Sequence, residues 1–189
     1  MILAIADPPY LGRAKRWYGA GGCGDGQGRN QADNHPDAAI WDNPETHQKL
    51  LTELLARYDG FAIAMSVHSL STYLDITGTD SRNGFRVCVW HKPSAITSGS
   101  RITNNFEPVL IKVPDSRRGW ASNAARVSDV LVANPPKVNF RGAKPALWTK
   151  WVLDLMGYTD GDTVDDLFVG SGMVGNALEN YQEQLNLNS

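Results

Sequence analysis

Residues 1–10 read MILAIADPPY, and residues 163–172 read TVDDLFVGSG. The first begins with a short apolar run, MILAIA, and stops at Asp7-Pro8-Pro9-Tyr10. That run is too short for a stable helix and reads as a buried strand. It ends where two prolines remove the N–H groups a ladder would need. The second reads as a strand over 163–168, then Val169-Gly170-Ser171-Gly172 as a turn, then a helix to about residue 184.

Outward from these stretches, the chain alternates strand and helix signals. Residues 61–67 (FAIAMSV), 85–91 (FRVCVWH) and 106–113 (FEPVLIKV) read as strands. Pro108 predicts an edge position for part of the last of these. The separation of 85–91 from 106–113 allows an antiparallel pair joined by a long loop. Asn43-Pro44 opens a helix whose face is Leu50, Leu51, Leu54, Leu55 and Tyr58, and Asp59-Gly60 closes it. Residues 69–76 form a short helix, and 144–156 restores helical spacing through Leu147, Trp151 and Leu155. This alternation predicts a single α/β domain over 1–189, with a mostly parallel sheet and one antiparallel strand. Residues 19–28 hold six glycines in ten. Residues 19–35 are therefore expected to be a flexible loop, and 114–143 an irregular insertion or lid.

Composition narrows the function. The chain has 189 residues, 42% of them hydrophobic and 20% charged, which suits a globular domain with a sizeable core. No apolar run is long enough to span a bilayer, and no basic segment precedes an apolar one at the start, so a membrane or secreted protein is not expected. Cys23 and Cys88 are read as two reduced thiols. His35, His47, His68 and His91 lack metal-ligand spacing, so no metal is expected. The net charge of −2 hides an asymmetry. Residues 82–150 carry 12 basic and 3 acidic side chains, whereas 151–189 carry none basic and 7 acidic. Such a basic third either faces a polyanion or is solvated and offsets the acidic tail.

Two strand-to-loop junctions carry the candidate chemistry, because ligands of an open parallel sheet bind beyond the carboxyl ends of its strands. Asp7-Pro8-Pro9-Tyr10 offers a carboxylate, a backbone carbonyl fixed between prolines, and an aromatic ring. Together these are a receptor for a planar group bearing an NH₂. At the other junction, Gly170 and Gly172 let backbone come close to a ligand at a helix start.

The two motifs together resemble the S-adenosylmethionine-dependent amino-methyltransferases that act on DNA. DPPY is similar to that family's catalytic (D/N/S)PP(Y/F/W) motif, and DLFVGSG to its DPFxGSG cofactor motif. Their order resembles the permuted arrangement called the beta group. Trp90-His91-Lys92-Pro93, Phe106-Glu107-Pro108, Ala143-Lys144-Pro145 and Gly161-Asp162-Thr163-Val164 are similar to further landmarks of the family. The resemblance implies a Rossmann-like methyltransferase sheet. It also implies methyl transfer from S-adenosylmethionine to an exocyclic amine, with Asp7 pointing to adenine N6. Asp7 and the Pro8 carbonyl would accept the amine hydrogens, Pro9 would fix the loop, and Tyr10 would stack on the base. Asp7, Lys144, Asp166, Phe168, Gly170, Ser171 and Gly172 would border the cofactor. With the basic third, it implies DNA contacts from Arg13, Lys15, Arg16, Lys92, Arg101, Arg117, Arg118 and Arg126. A homodimer fits this type, and the cytoplasm of a bacterial or phage-infected cell is the expected setting.

The sequence also departs from the family. Leu167 stands where the cofactor motif has Pro. The sheet is expected to be truncated at one edge, because no strand with a ribose-binding acidic residue follows the final helix. Two other readings stay open: a nucleic-acid- or protein-binding module that has lost transfer, and an amino-methyltransferase acting on RNA or a protein amide.

Overall fold

The computed structural model describes residues 1–19, 37–78, 83–94, 101–119, 126–138 and 142–187, with side chains described as far as Tyr181. The strands are β1 (Ile2–Ala6), β2 (Gly60–Ala64), β3 (Phe85–His91), β4 (Phe106–Lys112), β5 (Val130–Val132) and β6 (Thr163–Asp166). The helices are α1 (Ala14–Tyr18), α2 (Pro44–Arg57), α3 (Leu70–Thr77), α4 (Ala146–Met156) and α5 (Met173–Leu187). One mixed sheet has the order β5-β3-β4-β2-β1-β6. β1 runs parallel to β2 and β6, and β3 parallel to β5. β4 alone is reversed, antiparallel to both β2 and β3.

The strand period of two divides the core. Leu3 and Ile5 point to one face with Cys88, Trp90, Val109 and Ile111, where α4 supplies Trp148, Trp151, Val152 and Met156. Ala4 and Ala6 point to the other with Phe61, Ile63 and Leu110, where α2 supplies Leu50, Leu51 and Leu54. Helices thus cover both faces, which is why the central strands are apolar throughout rather than alternating. The Asn43 side chain caps α2 by accepting from the Glu45 N–H at 3.0 Å, with Pro44 in the first turn.

Several boundaries differ from the sequence reading. β2 ends at Ala64 rather than continuing to Val67, which starts a 3-10 turn. β6 ends at Asp166, two residues short of Phe168. β4 lies inside the sheet and not at its edge. Pro108 is tolerated there because its carbonyl accepts from Met65 N–H at 3.1 Å just past the end of β2, so the N–H it lacks would face a strand that has already ended. The stretch expected to be irregular contains β5, an edge strand of three residues. Only Gly19 of the glycine-rich loop falls within the described residues.

At the amino end of the sheet, Asp162 is nearly inaccessible and ties distant segments together. Its carboxylate accepts from Arg117 at 2.6 and 2.9 Å and from the Thr159 N–H at 2.8 Å. Burial alone would raise its pKa, but the hydrogen bonds from Arg117 and the Met1 amine hold it well below the usual carboxylate range. A depressed folded pKa gives stability that is present above the unfolded value near 4 and is lost as pH falls through the folded one. Asp162→Asn is therefore expected to lower the melting temperature at pH 7 by on the order of 10 °C, because it removes a nearly inaccessible carboxylate from the half-buried Arg117 guanidinium and the Met1 amine together. The difference from wild type should narrow in melts at pH 3. A deficit unchanged between the two pH values would contradict an ionic role.

Candidate active site

Five parallel strands and one reversed strand bring the loops after β1, β3 and β6, and the beginning of β4, to a single rim. β1 and β6 pair directly, with Ile5 opposite Asp166 and the Leu167 N–H donating to the Ile5 carbonyl at 3.0 Å. Asp7-Pro8-Pro9-Tyr10 and the glycine turn therefore leave adjacent strands side by side, although about 160 residues separate them.

Asp7 continues the Leu3, Ile5 phase of β1 and so points toward the α4 face. There it meets Lys144, whose nearly inaccessible ammonium donates to Asp7 Oδ2 at 2.7 Å, to the Tyr10 hydroxyl at 3.2 Å and to the Gly142 carbonyl at 3.2 Å. Glu107 completes the group. It is in phase with Val109 and Ile111 of β4 and opposite Trp90 of β3, so it too faces α4. Glu107 Oε2 accepts from the Tyr10 hydroxyl at 2.8 Å, and Oε1 from Lys92 Nζ. Lys144 Nζ is 3.6 Å from Glu107 Oε2. The rings of Tyr10, Trp90 and Trp148 surround the ammonium at 5.6 to 5.7 Å.

Two carboxylates and two ammonium groups are thus enclosed together, and each changes its neighbours' titration. Burial pushes the Asp7 carboxyl up against the opposing pull of Lys144, and the Glu107 charge adds to the rise. Burial also acts on Glu107, but Lys144 and Lys92 hold it below its ordinary value. Lys144 is held above its ordinary value, because Asp7 and Glu107 outweigh the effect of burial. Burial and the Asp7 and Glu107 charges push the Tyr10 phenol well up.

Beside this cluster lies the glycine turn. Gly170 and Gly172 have φ of 48° and 72°, a region that favours glycine, and a side chain at Gly172 would meet open space. Asp166 accepts from the Phe168 N–H at 3.4 Å through Oδ1, while its buried Oδ2 has no hydrogen-bond partner among the described residues. Burial raises its carboxyl, and the nearby Asp7 charge adds to that. Leu167 and Phe168 turn to the α2 face, where Phe168 meets Trp41 edge-on at 5.1 Å. His47, inside α2, fixes that wall. One ring nitrogen pairs with the Trp41 carbonyl and the other with the Tyr73 hydroxyl, both at 2.8 Å. The ring nitrogen facing the carbonyl must carry the proton, so the other accepts from Tyr73.

The basic residues expected to contact DNA do not share one surface. Arg13, Lys15 and Arg16 are exposed around α1 near the Asp7 rim, and Arg101 is exposed shortly before β4. Asp42 holds the start of α1 by accepting from the Ala14 and Lys15 N–H groups, both at 2.9 Å. Lys92 lies at the rim but is engaged with Glu107. Arg117 and Arg118 follow the reversed strand β4, and Arg126 precedes β5, so all three sit at the opposite end of the sheet. Arg117 is bound to Asp162 and Arg118 to Asp115. Around the Asp7 rim, Trp17 lies under Arg16 and Trp41 lies against Phe168. Trp120 falls outside the described residues.

No protein-family model matches the chain, and no curated protein matches it. Among solved structures it is similar to the crystal structure of the M1.HpyAVI–SAM complex, at 20% identity and a TM-score of 0.50, over 94% of this chain and 77% of that one. It is also similar to the crystal structure of M1.HpyAVI, at 19% identity and a TM-score of 0.49, over 95% and 76%. At such identities the likeness is one of fold, and on the first of these alignments the chain shares its fold with M1.HpyAVI.

Proposed function

We propose that the chain transfers a methyl group from S-adenosylmethionine to the exocyclic N6 amine of adenine in DNA. The observation that carries this reading is the direct pairing of β1 with β6, which sets the Asp7 carboxylate beside the glycine turn. The fold likeness to a protein crystallised with SAM supports the cofactor, and the DPPY and FVGSG motifs support the reaction.

The residues at the turn suit the cofactor. The Oδ2 of Asp166, unpartnered among the described residues, is an acceptor for an ammonium group, Gly172 leaves room for backbone contact, and Phe168 with Trp41 offers an apolar wall. When bound, the cofactor supplies an electrophilic methyl group. Asp7 and the Pro8 carbonyl accept the two amine hydrogens, which directs the nitrogen lone pair out of the ring plane. Pro9 fixes that carbonyl, and Tyr10, held at its hydroxyl, presents its ring to the base. Catalysis on this account is positioning and electrostatics, with no covalent enzyme intermediate. Arg13, Lys15, Arg16 and Arg101 supply phosphate contacts at the rim, whereas Arg117, Arg118 and Arg126 are too far round the sheet to join them.

Incubation with methyl-labelled S-adenosylmethionine and a panel of DNA and RNA tests the reading. Label in the N6-methyladenine of DNA is the expected result, and absence of label from both polymers would overturn it. Reversing the charge of Arg13, Lys15 and Arg16 together should weaken DNA binding and lower the slope of log affinity against log salt by about 2 to 3. An unchanged slope would remove α1 from the DNA interface.

A second reading is a binding module without transfer. The Lys144 ammonium favours it, because it already sits on the carboxylate an amine would need. Calorimetric titration with S-adenosylhomocysteine separates the two, since saturable binding is expected only of the enzyme.

A further inference from the structure

Glu107 is a carboxylate on a central strand with its side chain only 16% exposed, and the transfer scheme above gives it no role beyond holding the Tyr10 hydroxyl. Lys144 poses the complementary problem. Its ammonium lies on Asp7, yet on the reading above Asp7 must be open to an incoming amine. A buried ammonium that gives up its counter-ion without gaining another is strongly disfavoured. We propose that Glu107 is the second seat of the Lys144 ammonium, a positioning residue that takes Lys144 when an amine claims Asp7. This inference rests on the reading of Asp7 as the amine receptor.

The geometry carries it in three ways. Lys144 Nζ is 2.7 Å from Asp7 and already within ion-pair distance of Glu107 at 3.6 Å, so a shift of about 1 Å exchanges one hydrogen bond for the other. Glu107 is itself held in place, by Lys92 at one oxygen and by Tyr10 at the other. Lys92 also keeps the group neutral, with two carboxylates matched by two ammonium groups whichever seat Lys144 occupies. Finally, the same oxygen of Glu107 that faces Lys144 receives the Tyr10 hydroxyl, so movement of the ammonium is coupled to the ring that would face the base.

A stability cycle on the full chain tests the shared seat without any turnover. In thermal melts at pH 7, Asp7→Asn and Glu107→Gln each leave Lys144 one carboxylate, while the double variant leaves it none. The double variant should lose on the order of 10 °C more than the sum of the single losses. Adding Lys144→Met to the double variant should recover most of that excess, because the stranded charge is gone. Additive losses, or no recovery, would overturn the proposal. In turnover assays, Glu107→Gln should raise the KM for DNA at least tenfold while S-adenosylhomocysteine affinity stays within twofold. An unchanged KM would also count against it. A wild-type chain with no transferase activity would sink the reading of the site, whereas additive melts in an active enzyme would sink the second seat alone.

Discussion

Asp7→Ala is expected to abolish methyl transfer while S-adenosylhomocysteine binding remains measurable by calorimetry. Asp7 lies at the end of β1, on the rim where β6 delivers the glycine turn. It is the residue there whose carboxylate can both accept an amine hydrogen and stabilise the positive charge that develops on the nitrogen. Removing one such preorganised partner typically costs 10²- to 10³-fold in rate, and a carboxylate facing a developing cation belongs at the upper end, so a loss of roughly 10³-fold is expected. The cofactor-side groups, Asp166, Phe168, Gly170 and Gly172, are untouched by the change, which is why binding should persist. The fold should persist too, because Glu107 stays within reach of Lys144. An Asp7→Ala protein that still methylates would mean that the amine receptor lies elsewhere.

The second large effect concerns Lys144. Lys144→Met keeps the volume of the stem but leaves Asp7 without its ion-pair partner and Glu107 with only Lys92. Breaking a buried pair in this way costs about 3–5 kcal/mol, or a melting temperature lower by on the order of 10 °C at pH 7. The pH dependence follows from the sign of the shift. Without the ammonium, burial and the Glu107 charge hold the Asp7 carboxyl in the folded state still further above its unfolded value, while Lys92 stays on Glu107. A raised folded pKa gives stability that is fully present below the unfolded value and is lost as pH rises through the folded one. The deficit of Lys144→Met relative to wild type should therefore shrink as melts are taken from pH 7 toward pH 4.5. A deficit that is flat or grows on acidification would mean that the lysine acts through packing of its stem.

Much of the fold was legible because the central strands are short apolar runs with sharp stops. β3 has the bounds its sequence predicts, and α2 announces itself through the Asn43 cap, Pro44 and its leucine face. Strand β5 was missed because three residues, Val130–Val132, carry too little pattern to stand out from a polar stretch. Pro108 misled for a physical reason: proline marks an unpaired N–H, and here it is unpaired because the neighbouring strand ends, not because β4 is at the edge. The two motifs at the rim were readable from residue types alone. Glu107 was seen as part of a motif but given no role. Its alternation with Val109 and Ile111 places a carboxylate on a buried face, and that was the available signal. The split of the basic third was not readable, because it depends on the reversal of β4, which sends Arg117 and Arg118 to the far end of the sheet. The bridge from His47 to Trp41 likewise joins groups that only the packing of α2 and α3 brings together.

The pairing of β1 with β6 also bears on how the molecule is made. Strand β1 has, as one of its two neighbours, a strand that is synthesised much later than itself, Thr163–Asp166 against Ile2–Ala6. Until Thr163–Asp166 has left the ribosome, one edge of β1 is unsatisfied, and both halves of the rim wait on that late contact. Such sequence-distant pairing slows folding and exposes a bare strand edge in the interval. The nascent chain is thus at its most adhesive just before it acquires the means to bind anything specifically.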